Sequence, residues 1–444
     1  MTDPTRRRLL TALASAPLAL QSAVAQAAPA TASGRTGVSA GSSLPPRPSG
    51  VPPETLAADE AYWARVGALH ARTEGITNLE HGYWGRMATP VLETYTDAIA
   101  RVNRDGAWYA RRGYAADAEA ARTRVVQLIG ADVDEVALTR NATEAIHALL
   151  RQYTRLAPGD AVLLADVDYP AFKRLMAWLG PARGVEVVTL ELPPRAGEDE
   201  LFERYAEAFE AHPNLRLALV THASNQHGLL LPVARIARLA RERGIDVVCD
   251  AAQSLGLVDL KVEDLACDWV GFNLHKWIGA PLGLGALYMR RGSLGAVAPY
   301  PGETDGAEPA VQRRVHTGTW DFAAAVTIPA AVDFHEALGG DFKEARLRHL
   351  RRLWTDAARG LPGLEVLGGR DEASWTGIAS FRLPGRTTIE DARALQQRLV
   401  DEFGVFTVTR QGLASGACVR VTPQVYTART EIERLVAALG VIAS

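Results

Sequence analysis

From about residue 118 to residue 289, stretches of helical period alternate with short runs of apolar and β-branched residues. The runs typical of strands cover residues 135–138, 161–164, 185–190, 215–221, 245–250, 269–272 and 285–289. The stretches of helical period cover residues 118–129, 142–153, 171–179, 201–211 and 233–242. Strands and helices that alternate at this spacing predict an α/β fold, in which a mostly parallel sheet is covered by helices on both faces.

Beyond about residue 323 the order of the elements changes. Two long helical patterns at 324–338 and 342–360 come first. They are followed by strand-like runs at 377–382, 405–408 and 418–421 and by a closing helix at 430–439. This order predicts a large domain at 90–323 and a smaller α+β domain formed by residues 59–89 and 324–444.

The first residues have the pattern of a targeting signal. Three arginines at 6–8 precede an apolar run that ends at Leu20, and Ala-Gln-Ala follows at 25–27. A basic start, a short apolar run and a small-residue cleavage site predict a signal peptide over 1–27. The arginine pair is typical of the twin-arginine route, so we expect export of the folded protein to the periplasm. The alternative is an uncleaved tail on a cytoplasmic protein.

Residues 28–58 are rich in Ala, Ser, Gly and Pro, which predicts a flexible linker. No later stretch approaches the roughly 18 uncharged apolar residues that a membrane span needs, so we expect no membrane span after signal removal.

Charge and cysteine content exclude several classes of protein. The formal net charge of −3 shows no excess of basic residues, which argues against nucleic acid as a partner. Three widely spaced cysteines support neither a disulfide scaffold nor a CxxC zinc site, and we expect no metal site. Only four of the 48 basic residues are lysines, so chemistry that needs a free amine has four candidates: Lys173, Lys261, Lys276 and Lys343.

An acid and an amine follow neighbouring predicted strands. Asp250 closes the apolar run at 245–250, and Lys276 comes shortly after the run at 269–272. Open α/β sheets bind their ligands at the carboxyl ends of the strands, so both side chains are predicted to face one crevice. For a pyridine-aldehyde cofactor, a lysine forms a Schiff base and a carboxylate keeps the ring nitrogen protonated. The alternative is an ordinary ion pair between strand ends.

Two other segments suit a phosphorylated ring. At 138–145 a short strand gives way to a helix whose free N–H groups, with the Thr143 hydroxyl, predict a phosphate seat. A simple N-cap is the alternative. Tyr169, after the run at 161–164, offers a flat face to a heterocycle, and the alternative is a buried core tyrosine.

Together these motifs resemble the class V aminotransferase family. Its members are pyridoxal-phosphate enzymes that include cysteine desulfurases and isopenicillin-N-epimerase-like proteins. The matching stretches, in the family's order, are TRNATEAI, DYPAF, HASNQHGLLLPV, DAAQS, NLHKWIGAPLGLGALY, HTGTWD and CVRVTPQVYTARTEIERL. The segment NLEHGYWG at 78–85 resembles the epimerase-like branch, where it approaches the active site. The resemblance implies the fold type I of pyridoxal-phosphate transferases.

The resemblance also implies roles for individual residues. Lys276 is the catalytic lysine that holds pyridoxal 5'-phosphate, Asp250 faces the ring nitrogen, and Gln253 donates to the phenolic oxygen. The remaining cofactor contacts are Ala142, Thr143, Asn273 and His275 at the phosphate, Tyr169 against the ring, and Thr319 at the phosphate of a neighbouring subunit. Asn225 and Arg420 receive the substrate carboxylate, for which the planar guanidinium is well suited. The role of Thr319 implies a homodimer.

One departure from the family concerns sulfur chemistry. Cysteine desulfurases need a cysteine on a mobile loop, but the corresponding loop at 411–416 has none. Cys249, Cys267 and Cys418 fall on or beside predicted strands, so a sulfur relay is not expected. His222 and His227 are interpreted as loop residues near the site rather than metal ligands.

The sequence therefore predicts a dimeric pyridoxal-phosphate enzyme that acts at an amino-bearing carbon of an amino acid or peptide. Proton return to the cofactor gives transamination, and proton return to the substrate carbon from its other face gives epimerisation. The alternatives are a C–S lyase or cysteine-desulfurase-like enzyme, and a non-catalytic binding protein that keeps the fold.

Overall fold

A computed structural model of the chain describes residues 44–306 and 309–444, so the predicted signal peptide lies outside the described residues. The strands are β1 (Thr77–Asn78), β2 (Val136–Thr139), β3 (Ala161–Ala165), β4 (Glu186–Leu190), β5 (Leu215–Thr221), β6 (Asp246–Ala251), β7 (Trp269–Asn273), β8 (Gly285–Met289), β9 (Glu365–Leu367), β10 (Ala379–Arg382), β11 (Val405–Phe406), β12 (Val408–Arg410) and β13 (Cys418–Val421).

The helices are α1 (Pro53–Ala57), α2 (Glu60–Gly67), α3 (Thr89–Arg112), α4 (Tyr114–Ile129), α5 (Ala142–Gln152), α6 (Pro170–Arg183), α7 (Glu198–Ala211), α8 (Val233–Glu242), α9 (Val262–Leu265), α10 (Phe322–Leu338), α11 (Gly340–Arg359), α12 (Ile389–Phe403) and α13 (Arg429–Ala443). None of these helices is long and apolar enough to cross a bilayer.

A seven-stranded sheet forms the centre of the fold, in the order β2-β8-β7-β6-β5-β3-β4. Its pairs are parallel except for the two that involve β8, which runs against β2 and β7. The sheet is therefore mostly parallel, as predicted. All the parallel strands end at the same edge, and this edge carries the candidate site.

Helices cover both faces of this sheet, because its strands are apolar on both sides. In β6 the side chains of Val247, Cys249 and Ala251 join one apolar cluster, whereas Val248 joins the cluster on the opposite face. This division follows the two-residue period of a strand. A near-continuous apolar run is the sequence pattern of a strand buried on both faces.

A second, antiparallel sheet has the order β12-β13-β10-β9 and packs with α11, α12 and α13 around its own apolar cluster. The single strand predicted at 405–408 is wrong. The chain changes sheets at Thr407, so β11 pairs in parallel with β1, while β12 pairs with β13. Thr407 is buried at this crossover, and Phe406 before it is exposed.

The start of the described chain is structured. Leu56 and Ala57 of α1 are buried, and Leu56 packs in an apolar cluster with Trp63 of α2. The fully buried Arg346 of α11 donates to the Ala57 carbonyl oxygen at 2.9 Å and to the Glu60 carboxylate at 2.5 and 3.0 Å. The flexible linker predicted for residues 28–58 therefore does not extend through α1.

Candidate active site

A cavity of about 410 Å³, called the main cavity below, opens at the carboxyl ends of the parallel strands. The loops after β2, β3, β5, β6 and β7 form its walls, as expected for an open α/β sheet. Most of the predicted site residues line it: Thr143, Tyr169, Asn225, Asp250, Gln253, Asn273, His275 and Lys276. Ala142, Thr319 and Arg420 are not among its lining residues.

Lys276 and Asp250 both face the main cavity, where Asp250 is buried and Lys276 is half-buried. Burial lowers the pKa of Lys276 to about 8, against the attraction of Asp250, which raises it. Burial raises the pKa of Asp250 to about 6, against the Ala252 N–H bond at 2.9 Å and the charge of Lys276. The lowered pKa increases the fraction of the neutral amine near neutral pH, and the neutral amine is a usable nucleophile and base.

Gln253 is fixed from two sides. Its Nε2 donates to the Gly82 carbonyl oxygen at 2.9 Å, and its Oε1 accepts from the Trp277 indole N–H at 2.9 Å. A side-chain amide has two N–H donors, so one remains for the cavity. That donor suits the role of Gln253 towards a phenolic oxygen.

The phosphate end is built on the first turn of α5. Asn141 caps this helix by accepting from the Glu144 N–H at 2.8 Å. The Ala142 N–H donates to Asn273 Oδ1 at 2.9 Å, a contact that the sequence prediction did not include. Thr143 Oγ1 belongs to the wall of the cavity, beside the positive end of the helix.

His275 has a fixed tautomer. Its Nδ1 lies 2.8 Å from the Leu284 carbonyl oxygen, which can only accept, so Nδ1 carries the proton. Burial lowers the pKa of His275 to about 4, so the ring is neutral and its Nε2 has no proton. His275 therefore donates to a phosphate only after it takes up a second proton, which a nearby dianion favours.

Tyr169 is 40% exposed and presents its ring to the main cavity. It contacts Phe172 edge to face, with 5.4 Å between the ring centroids. The ring is therefore not the buried core tyrosine of the alternative interpretation.

Arg420 already has a carboxylate partner. Its Nη2 donates to both oxygens of Glu80, at 2.6 and 2.8 Å, and its Nη1 donates to the Asn225 carbonyl oxygen at 2.7 Å. Against the effect of burial, Arg420 lowers the pKa of Glu80, so this carboxylate is ionised. Asn225 and Arg420, both predicted to receive the substrate carboxylate, are in contact, but the Arg420 side chain is fully buried and already paired with Glu80.

The segment at 78–86 reaches the site, as the resemblance implied. Gly82 and Tyr83 line the main cavity. The Gly85 N–H donates to the His275 carbonyl oxygen at 2.9 Å, and a Cβ at Gly85 would collide with the carbonyl oxygen of Lys276. Glycine at this position lets the segment pack directly against the backbone that carries Lys276.

Several site residues were not predicted from the sequence. Arg410 lines the main cavity, Glu80 pairs with Arg420, and Asp168 lies buried behind Asp250. Burial raises the pKa of Asp168 to about 7, against hydrogen bonds from the Thr221 hydroxyl and the Ala165 N–H, both at 2.7 Å. The DYP sequence that begins at Asp168 was a signal for it, whereas Glu80 and Arg410 come from distant parts of the chain.

Other sequence predictions fall outside the cavity. The three cysteines are buried, and Thr319 is exposed. His227 is buried and His222 is half-buried, and desolvation lowers the pKa of His222 to about 4 and that of His227 to about 3. Across 44–306 and 309–444, no three His, Cys, Asp or Glu residues are grouped in a way that could hold a metal ion.

The residues present fit pyridoxal 5'-phosphate. The walls of the main cavity include the half-buried Lys276, the buried carboxyl of Asp250, Gln253 with a free amide donor, and Thr143 at a helix N-terminus for a phosphate. Tyr169 adds an aromatic face.

Comparisons with known proteins agree with this geometry. The Aminotransferase class-V family profile matches residues 87–435. Isopenicillin N epimerase from Amycolatopsis lactamdurans is 29% identical over 395 residues, which cover 85% of this chain and 98% of that protein. A cysteine desulfurase from Pectobacterium carotovorum subsp. carotovorum is 31% identical over 353 residues, which cover 72% and 81%.

The fold is also that of a solved cysteine desulfurase from Thermococcus onnurineus NA1, with a TM-score of 0.71 and 20% identity over 83% of this chain and 94% of the other. The family is pyridoxal-phosphate-dependent, so the predicted fold class and cofactor are confirmed. The chain belongs to the class V aminotransferase family.

Proposed function

We propose that this enzyme acts at the amino-bearing carbon of an amino acid or peptide, by transamination or epimerisation. One observation carries the proposal: an amine with a lowered pKa, that of Lys276, and a buried carboxyl, that of Asp250, border the same cavity. The absence of a cysteine from the loop at 411–416, together with the burial of all three cysteines, argues against a sulfur relay.

Bound pyridoxal 5'-phosphate supplies an electron sink for the substrate carbon. Asp250 would stabilise positive charge at the ring nitrogen, because a neighbouring cation favours ionisation of this carboxyl against the effect of burial. The amine of Lys276, once free, takes the proton from the amino-bearing carbon and returns it. Return of the proton to the cofactor would give amino-group transfer, whereas inversion would need a proton delivered to the face of the substrate carbon opposite the one that Lys276 deprotonates.

The first test is chemical. Borohydride reduction of the holoenzyme is expected to fix the cofactor on the peptide that contains Lys276, as seen by mass spectrometry. Lys276→Ala is expected to abolish the fixed cofactor and the activity. Lys261→Ala, whose amine contacts the Leu128 carbonyl oxygen outside the site, is the matched control. A fixed cofactor on Lys173, Lys261 or Lys343 would contradict the proposal.

The second test separates the reactions. Incubation with amino acids and peptides in deuterated water is expected to give either solvent exchange with inversion or an aminated cofactor with a keto product. Sulfide or persulfide release from cysteine or cystine without either result would instead indicate a C–S lyase. A holoenzyme that binds amines but exchanges no proton would indicate a binding protein.

We also propose a periplasmic location and a homodimer. The twin-arginine pattern and small-residue site at 1–27 support export, and a mature periplasmic protein that starts at Ala28 is the expected result of mass spectrometry. The HTGTWD sequence supports a partner contact through Thr319, which is exposed. Light scattering is expected to give twice the mass of one chain.

A further inference from the structure

A second cavity of about 380 Å³ adjoins the main cavity. This side cavity is lined by Tyr83, Trp84, Phe406, Val408 and Arg410, among others, and Tyr83 and Arg410 also line the main cavity. The two cavities therefore have walls in common. Tyr83 and Arg410 lie at the boundary between the two cavities.

The side cavity exposes aromatic surface. Tyr83 is 67% exposed, Trp84 45% and Phe406 39%. Tyr83 and Trp84 contact each other edge to face, with 5.5 Å between their ring centroids. Exposed aromatic rings around a concave surface are typical of a ligand site, because they bury a large apolar area when a ligand binds.

Arg410 is the cationic group at the junction, and its pairing is incomplete. Among the described residues its hydrogen-bond acceptor is the carbonyl of neighbouring Thr409, at 3.4 Å, and its Nε is buried without a partner. The nearest carboxylate, Glu80, is 3.9 Å away and is held by Arg420 at 2.6 Å. Burial lowers the pKa of Arg410 to about 10, which shows that its charge is costly to hold in this position.

Two arginines thus differ in availability. Arg420 donates to Glu80 and to the Asn225 carbonyl through both terminal nitrogens, whereas Arg410 has free donors at the cavity wall. An incoming carboxylate binds Arg410 without displacing another carboxylate, and a guanidinium binds a carboxylate through two parallel hydrogen bonds.

We infer that the substrate is an amino acid whose carboxylate binds Arg410 and whose long side chain places an aromatic or other bulky apolar group in the side cavity. This inference rests on the proposed function, since it assumes that the amino group of the same molecule reacts at Lys276. The substrate class is therefore an extended amino acid or a peptide-sized amino acid, rather than alanine or cysteine.

The carboxylate part is tested by titrating the holoenzyme with L-phenylalanine and 2-phenylethylamine, which differ by that group, and following the cofactor absorbance. We expect the Kd of the amine to exceed that of the amino acid at least tenfold in the wild type. In Arg410→Met this ratio is expected to approach 1, and Arg410→Lys is expected to restore part of it. A ratio that survives in Arg410→Met but is lost in Arg420→Met would overturn the inference.

The side-chain part is tested with L-alanine and Nε-benzoyl-L-lysine. The Kd of alanine is expected to be at least tenfold higher, and Trp84→Ala and Phe406→Ala are expected to reduce this ratio towards 1. Trp108→Ala, which removes a 72% exposed tryptophan on α3 outside both cavities, is the matched control. An unchanged ratio in Trp84→Ala, with a changed mass by light scattering, would show that a second copy covers this surface and would overturn the inference.

Failure of the inference differs from failure of the proposed function. A wild-type holoenzyme whose absorbance no amine changes would contradict the proposed function. A spectrum that responds to every amine with the same Kd would contradict only the assignment of Arg410 and the side cavity.

Discussion

At the scale of single residues, burial decides the chemistry of the acids around the site. Asp250 and Asp168 lie in one buried region, and burial raises both pKa values, to about 6 and about 7. The charge of Asp250 contributes to the raised pKa of Asp168. Two neighbouring carboxyls with raised pKa values make the stability of this region depend on pH, because each proton lost adds a negative charge to a buried environment.

The Asp168→Asn variant tests this sensitivity. A carboxyl with a raised pKa in the folded state keeps its proton between about pH 4 and pH 7, whereas the unfolded chain loses it, so its contribution to stability falls as the pH rises through this window. Asparagine does not titrate. The free energy of unfolding of Asp168→Asn minus that of the wild type is therefore expected to rise from pH 4 to pH 8, by on the order of 4 kcal/mol.

Urea unfolding across this pH range gives the measurement. Asp199→Asn, which changes a carboxyl that is 83% exposed, is the control and is expected to give a nearly constant difference. A constant difference for Asp168→Asn as well would contradict a raised pKa at Asp168.

Residues that follow strand ends could be predicted from the sequence, and residues that meet by tertiary packing could not. Lys276 and Asp250 follow neighbouring strands, so the geometry of a parallel sheet brings them together. The pairing of Glu80 with Arg420 joins positions 340 residues apart. No local pattern encodes such a contact, and the substrate role predicted for Arg420 therefore did not anticipate its partner.

At the scale of elements, the segment before α3 fixes the position of Lys276, the proposed catalytic lysine. The Gly85 N–H bond to His275 and the close approach of Gly85 to Lys276 leave no room for a side chain. The carbonyl oxygen of Gly82 also holds Gln253 at 2.9 Å. One short segment thus contacts two residues that are expected to hold the cofactor.

The Gly85→Ala variant tests this contact. The added methyl group forces the segment and the Lys276 backbone apart, which is expected to cost about 1–3 kcal/mol of stability. We expect kcat/KM to fall at least tenfold and the cofactor absorbance to shift. Gly295→Ala, at a position with open space around the added Cβ, is the control for thermal unfolding and activity. Wild-type activity in Gly85→Ala would contradict the tight contact.

Strand positions within the central sheet were predictable because burial on both faces gives each strand a continuous apolar run. The predicted and observed bounds coincide for β5 and β8 of this sheet, and also for β13 of the second sheet. The break at Thr407 was not predictable, since the apolar run at 405–408 continues across it. Only the pairing of β11 with β1 and of β12 with β13 reveals the crossover.

At the scale of the whole molecule, Arg346 joins segments from both ends of the described chain. It donates to the Ala57 carbonyl, to Glu60 and to the Thr427 carbonyl at 3.1 Å. Its guanidinium is fully buried, whereas the Glu60 side chain is 34% exposed. The amino-terminal helices are thereby attached to α11 and to the loop before α13.

Arg346→Met is expected to destabilise the protein by about 3 kcal/mol, because removal of one partner of a buried pair leaves the other groups unpaired. Thermal unfolding measures the change. Arg352→Met, at a 45% exposed arginine on the same helix, is expected to have a small effect. The double variant Arg346→Met/Glu60→Leu is expected to recover part of the loss. Equal losses of stability in Arg346→Met and Arg352→Met would contradict the structural role of Arg346.

The division of the chain into layers was predictable from the order of its elements, and the attachment of its amino-terminal end was not. Alternation of strands and helices gives the central sheet, and its loss beyond residue 323 marks the second sheet. Helix α1 was not predicted, because the Ala, Ser, Gly and Pro content of residues 28–58 is typical of a linker. Its apolar contacts come from helices that are distant in sequence.

The Glu80–Arg420 pair has a consequence for ligand choice. A ligand carboxylate that binds Arg420 has to displace Glu80. One anion then replaces another on the same guanidinium, so the net free energy of binding gained there is small. We therefore expect a ligand carboxylate to gain little free energy at Arg420, whatever the size of the ligand. Selection among amino acids then depends on their side chains, because Glu80 competes with every ligand carboxylate for Arg420.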